Sequence, residues 1–257
     1  MRIARLIPII VFSLWLGAPA PAAAQRGQAP PPPPIGRVGA PVDLTGTWVS
    51  LVTNEWRWRM VTPEKGDYAV LPINAEARRI ADAWDPAKDE AAGEQCRGYG
   101  AAAILQMPAR LRIAWDNDTT MRLDIDTGTQ TRLFRFGPPQ ASAGAPTWQG
   151  HSVAEWQVAR GRGQEGQGSG PAARTGSLKV VTRNLRPGYL RRNGVPYSAN
   201  ATVTEYFTRL GDKGADYLNV TVVVEDPQYL TQPYVRSMQF RREPDNSKWN
   251  PTPCSAR

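Results

Sequence analysis

The stretch "RLRIAWDNDTTMRLDID", residues 110–126, carries the clearest structural signal in the chain. Apolar residues alternate with polar or small ones in its first half and again in its second half, on either side of the turn sequence "DNDT" at 116–119. A period of two residues is typical of strands that bury one face. The stretch therefore predicts a β-hairpin. The residues on its buried face are Leu111, Ile113, Trp115, Met121, Leu123 and Ile125.

Strands of the same kind are predicted along most of the chain, together with one helix. The helix lies near residues 74–85, where Asn74 is a suitable N-cap and Pro86 a stop signal. About ten strands with short connections favour an antiparallel meander, either as a sandwich or closed into a barrel. Because closure removes the exposed edges of a long meander, we predict an all-β barrel of about 8–10 strands. The further strands are predicted at 47–60, 104–108, 150–159, 177–184, 201–210, 217–225 and 234–242.

The start of the sequence predicts an exported protein. Residues 1–24 combine a basic start, an apolar run and a small-residue end, which is the layout of a cleaved signal peptide. Residues 25–41 contain five consecutive prolines and predict a disordered, proline-rich tether. Residues 42–257 then form a single domain with a flexible Gly-rich loop at 160–176. We expect the mature chain to be periplasmic or secreted and to contain no transmembrane segment.

Charge and cysteine content narrow the classes of function. The formal net charge of +8 falls to +6 once Arg2 and Arg5 leave with the signal peptide, and the remaining basic residues are dispersed among apolar ones. Nucleic-acid binding calls for basic clusters, so nucleic acid is not an expected partner. Cys96 and Cys254 are predicted to form a disulfide, because the thiols of exported proteins tend to be oxidised.

The first predicted strand begins in "DLTGTWVS", residues 43–50. Its Gly-Thr-Trp resembles the Gly-x-Trp signature with which lipocalin barrels begin. The resemblance implies that Trp48 closes the floor of a lipocalin-like barrel and stacks on an arginine near the end of the sheet. Arg241 and Arg242 are the candidates for that arginine. The alternative is a tryptophan that only fills the core at the start of a strand.

A wider resemblance spans residues 44–254. The chain contains "WQGHSVAEW" at 148–156, "GVPYSANATVTEYFTR" at 194–209, "EDPQYLTQPYVRSMQFRR" at 225–242 and a C-terminal cysteine. In this order, these elements resemble those of a family of exported bacterial proteins of unknown function. The chain departs from that family in "CRGYGAAAI" at 96–104 and in its Gly-rich insertion. The resemblance implies a fold and a compartment, and it implies no reaction.

The chain contains one histidine, His151. One histidine and two bonded cysteines are too few nitrogen and sulfur ligands for a usual zinc site, so we predict no metal and no cofactor. Ser152 adjoins His151 on a predicted strand, so the two side chains point to opposite faces and do not form a hydrolase dyad. We therefore assign no catalytic residue. His151 is interpreted either as a structural residue or as a ligand-binding residue, and Trp156 is a second ligand-binding candidate.

Two strand registers are open for "NATVTEYFTRL", residues 200–210. In the first, Glu205 lies on an inward apolar face, and Arg236 is its expected partner because a buried carboxylate needs one. In the second, the face that carries Tyr206 and the threonines is inward, and Glu205 is solvated. Glu205, Tyr206 and Arg236 complete the predicted ligand-binding set.

Three functional hypotheses follow. The first is an exported lipocalin-like protein that binds a small apolar or amphipathic ligand in the cell envelope. The second is an enzyme that acts on a lipid- or terpene-like substrate in the same cavity, with His151 or Glu205 as the acid–base residue. The third is a structural or interaction protein with a filled barrel and an unidentified protein partner. The barrel interior discriminates among them, because a filled barrel leaves no cavity for the first two.

Overall fold

Nine strands close into a barrel, which confirms the predicted all-β fold. The computed structural model describes residues 34–138, 144–159 and 175–256. Two short strands form a separate sheet. In chain order the strands are β1 (Gly46–Leu51), β2 (Arg110–Asn117), β3 (Thr120–Ile125), β4 (Gln130–Phe136), β5 (His151–Ala159), β6 (Thr175–Arg183), β7 (Gly188–Arg191), β8 (Val195–Tyr197), β9 (Thr202–Asp212), β10 (Ala215–Glu225) and β11 (Tyr234–Glu243).

The barrel is antiparallel except at one seam. Its strands follow the order β1, β11, β10, β9, β6, β5, β4, β3 and β2, and β2 pairs with β1 to close the ring. The strands β4 and β5 run parallel, with Phe134 opposite Ser152. A parallel pair needs a connection that returns to the starting end of the sheet. The predicted antiparallel meander is therefore interrupted between β4 and β5.

Alternate residues of every barrel strand point inward and fill the interior. Phe134 and Phe207 meet there with their ring centroids 5.4 Å apart. The interior contains no water-sized space next to these residues, because they have almost no accessible surface. The barrel is therefore filled with side chains. Residues at 0 % exposure on the barrel strands include Trp48, Leu111, Leu123, Phe134, Leu178, Val180, Thr182, Val203, Glu205, Phe207, Leu218, Val220 and Phe240.

Short helices and the β7–β8 sheet cover the end of the barrel at which β11 begins; we call this end the cap. One contact between this cover and the barrel is made by Gln106, whose side-chain oxygen accepts a hydrogen bond from the Tyr234 hydroxyl at 3.3 Å. The helix predicted near 74–85 is present, and Pro86, predicted as its stop signal, also starts a further helix. The helices are α1 (Trp56–Arg59), α2 (Ala75–Asp82) and α3 (Pro86–Ala91), with 3₁₀ turns at Arg97–Tyr99 and Ile104–Gln106.

Of the strands predicted in this region, one is too long and another is absent. The strand predicted at 47–60 ends at Leu51, and Glu55 takes a left-handed backbone (φ 54°) before α1. The Trp-Arg-Trp-Arg sequence of this turn is held by partners elsewhere in the chain: Trp58 Nε1 donates to Asp67 at 2.9 Å and Arg59 Nε to the Gln106 carbonyl at 2.8 Å. The strand predicted at 104–108 is a 3₁₀ turn.

The N-terminal segment packs on the opposite end of the barrel, which we call the mouth. Gly36 is buried there, and its carbonyl accepts a hydrogen bond from Trp156 Nε1 at 2.7 Å. The Arg37 amide donates to the Asp118 carbonyl at 2.9 Å. Residues 34–41 belong to the predicted tether, and these contacts join their first part to the barrel. The predicted signal peptide, the rest of the tether and residues 160–174 of the Gly-rich loop lie outside the described residues.

The predicted disulfide between Cys96 and Cys254 is present and joins residues 158 positions apart. The C-terminal tail that it fixes runs beside the β3–β4 turn, where the Thr252 amide donates to the Asp126 carbonyl at 2.9 Å. In the described part of the chain, no helix has the length and apolar character needed to cross a membrane.

Candidate functional site

Glu205 lies inside the barrel, on the apolar face of β9. Of the two registers left open by the sequence, the structure has the one in which Val203, Glu205 and Phe207 point inward. Both carboxylate oxygens of Glu205 accept hydrogen bonds from the Arg132 guanidinium, at 2.7 and 2.6 Å. Both side chains are 0 % exposed. A bidentate pair of this kind neutralises two charges that could not be buried singly.

Hydroxyl groups complete the polar cluster around this ion pair. Arg132 Nη2 also donates to Thr182 Oγ1 at 3.2 Å, and Thr182 shares a hydrogen bond of 2.8 Å with Ser152 Oγ. All four residues are buried. The cluster is therefore a closed part of the core, out of reach of a ligand in solution.

Arg236 is not the partner of Glu205, so that prediction is wrong. It lies at the cap, where its Nε contacts Glu55 at 2.9 Å and the Tyr234 hydroxyl at 2.9 Å. Although Arg236 and Glu205 both occupy inward positions on their strands, Arg236 is near the start of β11 and emerges from the barrel end. Its guanidinium also donates to the Val70 carbonyl at 3.5 Å, which ties the cap to the barrel.

His151 lies on the outer face of the barrel wall. It begins β5, where Ser152 and Ala154 point inward and His151 and Val153 point outward. Burial lowers the pKa of His151 below its usual value, and the positive charge of Arg135 lowers it further. Because Glu205 is inside the barrel and His151 outside it, the two cannot act together on one bound group.

Trp156 and Tyr206 also occupy separate surroundings. Trp156 packs at the mouth against Phe136, with ring centroids 5.5 Å apart, and against Trp115 at 6.5 Å. Tyr206 lies on the outer face of β9, opposite Lys179 of β6. The predicted ligand-binding residues are therefore not gathered around one cavity. They belong to the interior, the mouth, the cap and the outer wall.

Trp48 lies against Arg242, one of the two arginines that were candidates for stacking on it. It is fully buried, its Nε1 donates to the Leu44 carbonyl at 3.0 Å, and the Arg242 guanidinium carbon lies 5.6 Å from its ring centroid. Gly46 leaves room for that arginine, since a Cβ there would lie 3.0 Å from Arg242 Nη2. Arg241 is exposed on the other face of β11 and takes no part.

A surface cleft at the mouth is the best candidate for a ligand site. Its volume is about 670 Å³, within the usual range for small-molecule sites. The apolar side chains Val158 and Leu210 are about half exposed in it, at 48 % and 53 %. The lining residues of this mouth cleft are Pro41, Val42, Gln157, Val158, Thr175, Gly176, Ser177, Thr208, Arg209 and Leu210.

Arg209 is the charged group of the mouth cleft. Its Nη2 contacts Asp216 at 2.7 Å and its Nη1 donates to the Asp43 carbonyl at 2.8 Å. The sequence did not predict this site, because its wall includes Pro41, the last residue of the segment that was interpreted as the tether. The exposed Val158 and Leu210 at strand ends are the signal that could have pointed to it.

Comparison with known proteins gave no match, whether to protein-family models, to curated protein sequences or to solved structures. Among the described residues, no group of three or more His, Cys, Asp or Glu side chains is placed to hold a metal ion.

Proposed function

We propose that this chain is an exported binding protein that takes a small apolar or amphipathic ligand in the mouth cleft, outside a filled barrel. The observation that carries the proposal is the cleft itself: about 670 Å³ of surface space with half-exposed Val158 and Leu210 on its walls. The hydrophobic effect favours covering such side chains. The filled interior argues against a ligand bound in the lumen. We therefore place the proposed ligand site at the end of the barrel, in the mouth cleft, and not inside the barrel as in a lipocalin.

Three features support export to the periplasm or the medium. The first is the signal-peptide pattern at residues 1–24, and the second is the resemblance to exported bacterial proteins. The third is the Cys96–Cys254 disulfide, which is a bond of oxidising compartments.

A second candidate function, an interaction protein, is favoured by an apolar patch on the cap. Five large apolar side chains are exposed there, and Val70 and Val235 lie around Arg236, which joins them to the start of α1 through Glu55. Exposed apolar patches often mark protein contacts. The members of this cap patch are Trp56, Met60, Val61, Val70 and Val235.

A fluorescent apolar dye distinguishes the two candidates. The mature protein is titrated with N-phenyl-1-naphthylamine, whose emission rises in apolar surroundings, and the Leu210→Asp variant is compared with the wild type. A charge in the cleft costs the dye its apolar contacts, so we expect about tenfold weaker binding. Val61→Asp is the matched control, because Val61 is equally exposed but lies in the cap patch. The control should bind the dye like the wild type.

The reverse pattern would show that the dye binds at the cap patch. If Val61→Asp weakens dye binding and Leu210→Asp does not, the mouth-cleft proposal is wrong. Native mass spectrometry of the protein purified from its own cell envelope then identifies the natural ligand. A co-purified lipid or isoprenoid that Leu210→Asp lacks and Val61→Asp retains is the expected result.

A further inference from the structure

A small polar pocket lies on the outer wall of the barrel, away from the mouth cleft. It spans the strands β3, β4 and β5 and has a volume of about 170 Å³. A water molecule takes about 30 Å³ in the liquid, so the pocket has room for a small hydrated ion. The residues of this outer pocket are Thr119, Thr120, Arg135, Phe136, Pro138, His151 and Val153.

The strand register brings its polar groups to one place. Thr120 is directly opposite Arg135 in the β3–β4 pair, and Arg135 is opposite Val153 in the parallel β4–β5 pair. His151 is two residues from Val153 on the same face of β5, and Arg183 of β6 is directly opposite His151. Outward side chains of paired positions are neighbours on a sheet surface. The wall therefore presents a hydroxyl, an imidazole and two guanidinium groups in adjacent positions.

The positive charges of this group have no carboxylate partner in the described part of the chain. Arg135 makes one long hydrogen bond, 3.4 Å from its Nη1 to the Leu133 carbonyl, and no ion pair of Arg135 or Arg183 occurs among the described residues. Of the carboxylates on this wall, Glu155 pairs with Lys179 and Asp124 with Arg122, whereas Asp116 and Asp118 at the β2–β3 turn make no ion pair among the described residues. The guanidinium groups of Arg135 and Arg183 are therefore not paired with any carboxylate in the described part of the chain.

We propose that the outer pocket binds an oxyanion, a phosphate group or a chemically similar anion. Arg135 donates its guanidinium N–H groups to the anion oxygens, and the Thr120 hydroxyl donates a further hydrogen bond. Protonation of His151 gives its ring a positive charge and a second N–H donor for the anion. Arg183 adds positive charge at the rim. This site does not depend on the proposed ligand in the mouth cleft, and the two are tested by different variants.

The pH dependence follows from the charges around His151. In the free protein, burial and Arg135 keep the imidazole pKa low, while Arg183 also faces it and Glu155 is occupied by Lys179. A bound anion favours the charged imidazole and raises its pKa. The anion therefore binds more tightly as the pH falls through the pKa of His151, and binding takes up a proton.

Because the chain has one histidine, its pKa can be followed by NMR without overlap from other imidazole signals. Its ring protons give one imidazole signal in the NMR spectrum of the mature protein, and that signal is titrated against pH with and without inorganic phosphate. We expect phosphate to raise the His151 pKa. Arg135→Gln should weaken the phosphate effect about tenfold, because it removes a charged hydrogen-bond donor. Arg122→Gln is the control, since it removes the same charge from the same wall where Asp124 already pairs with it.

A second variant and a second probe complete the test. Thr120→Val keeps the side-chain shape and should weaken phosphate binding several-fold even if Arg135→Gln does not fold. Vesicles containing phosphatidylglycerol, compared with phosphatidylcholine vesicles, separate a lipid headgroup from a free anion. A His151 response to the anionic vesicles alone assigns the site to a headgroup. No response to either probe, or equal losses in Arg135→Gln and Arg122→Gln, would overturn the proposal.

Discussion

At the residue scale, the ion pair of Arg132 and Glu205 is the most constrained contact of the core. Both side chains are fully buried, and Arg132 Nε makes no hydrogen bond within the described residues. The desolvation of two charges is therefore only partly offset by their own contacts. In such a pair the loss of one partner costs more than the loss of both.

We expect Arg132→Met or Glu205→Leu alone to lower the free energy of unfolding by about 3–5 kcal/mol, because each leaves one buried charge unpaired. The double variant should return to the wild-type stability or exceed it. Urea unfolding followed by tryptophan fluorescence measures all three. The exposed pair Glu155–Lys179 is the control, and its removal should cost less than about 1 kcal/mol. Single variants no worse than that control would contradict the prediction.

Glu205 shows what the sequence could and could not predict at this scale. The alternation of Val203, Glu205 and Phe207 identified an apolar face. It gave the buried position of Glu205 as one of two possible registers. Its partner could not be predicted, because Arg132 lies on β4 and Glu205 on β9, with two strands between them in the barrel wall. Contacts across the lumen depend on how the sheet closes, which no local pattern encodes.

Val70 carries local backbone strain at the cap. Its φ is 61°, a left-handed conformation that costs an L-residue about 1–2 kcal/mol. Val70→Gly removes that cost but adds freedom to the unfolded chain worth about 0.5–1 kcal/mol. We expect a net gain in the free energy of unfolding of up to about 1 kcal/mol, measured by thermal unfolding. Val61 is equally exposed but has an ordinary backbone conformation, so Val61→Gly should lower the free energy of unfolding. If both variants lower it, Val70 is not strained.

At the scale of elements, the cap is the part that the sequence predicted least well. The stretch Trp56–Arg59 alternates aromatic and basic residues as a strand would, yet it forms a helical turn. A turn of four residues is too short to show a helical period, and its conformation is fixed by distant partners such as Asp67 and Gln106. The Asn74 cap and the Pro86 boundary, in contrast, are local signals, and both appear in the structure.

The disulfide joins the start of the first 3₁₀ turn to the C-terminal tail. By the chain-entropy model, a bond across 158 positions stabilises the fold by up to about 5 kcal/mol. We expect the Cys96→Ala/Cys254→Ala variant to unfold at a clearly lower denaturant concentration than the oxidised wild type. Amide hydrogen exchange should accelerate in the tail and less in β9 or β10. Equal midpoints for the variant and the oxidised protein would contradict this.

At the scale of the whole molecule, alternation repeated on nearly every strand predicts a sheet that buries one face, and closure into a barrel was inferred because it removes the exposed edges. Whether its lumen is open does not follow, because that depends on the sum of inward side-chain volumes against the width of the closed sheet. Here large residues on several strands, among them Phe134, Phe207, Phe240 and Trp48, take up the interior. The barrel is consequently a scaffold, and binding is assigned to its mouth and outer wall.

This division between scaffold and surface predicts that stability and binding can be changed separately. Phe207→Ala removes a ring that packs on Phe134 and leaves a cavity in the filled barrel, so it should lower the free energy of unfolding by about 3–5 kcal/mol. Under folding conditions it should still bind the naphthylamine dye at the mouth, because Phe207 lies deeper in the barrel than the cleft. Leu210→Asp should show the opposite pattern, with nearly unchanged stability and weakened dye binding. A dye affinity that falls in Phe207→Ala while Leu210→Asp binds normally would mean that the dye enters the lumen, and the barrel would then open to ligands in solution.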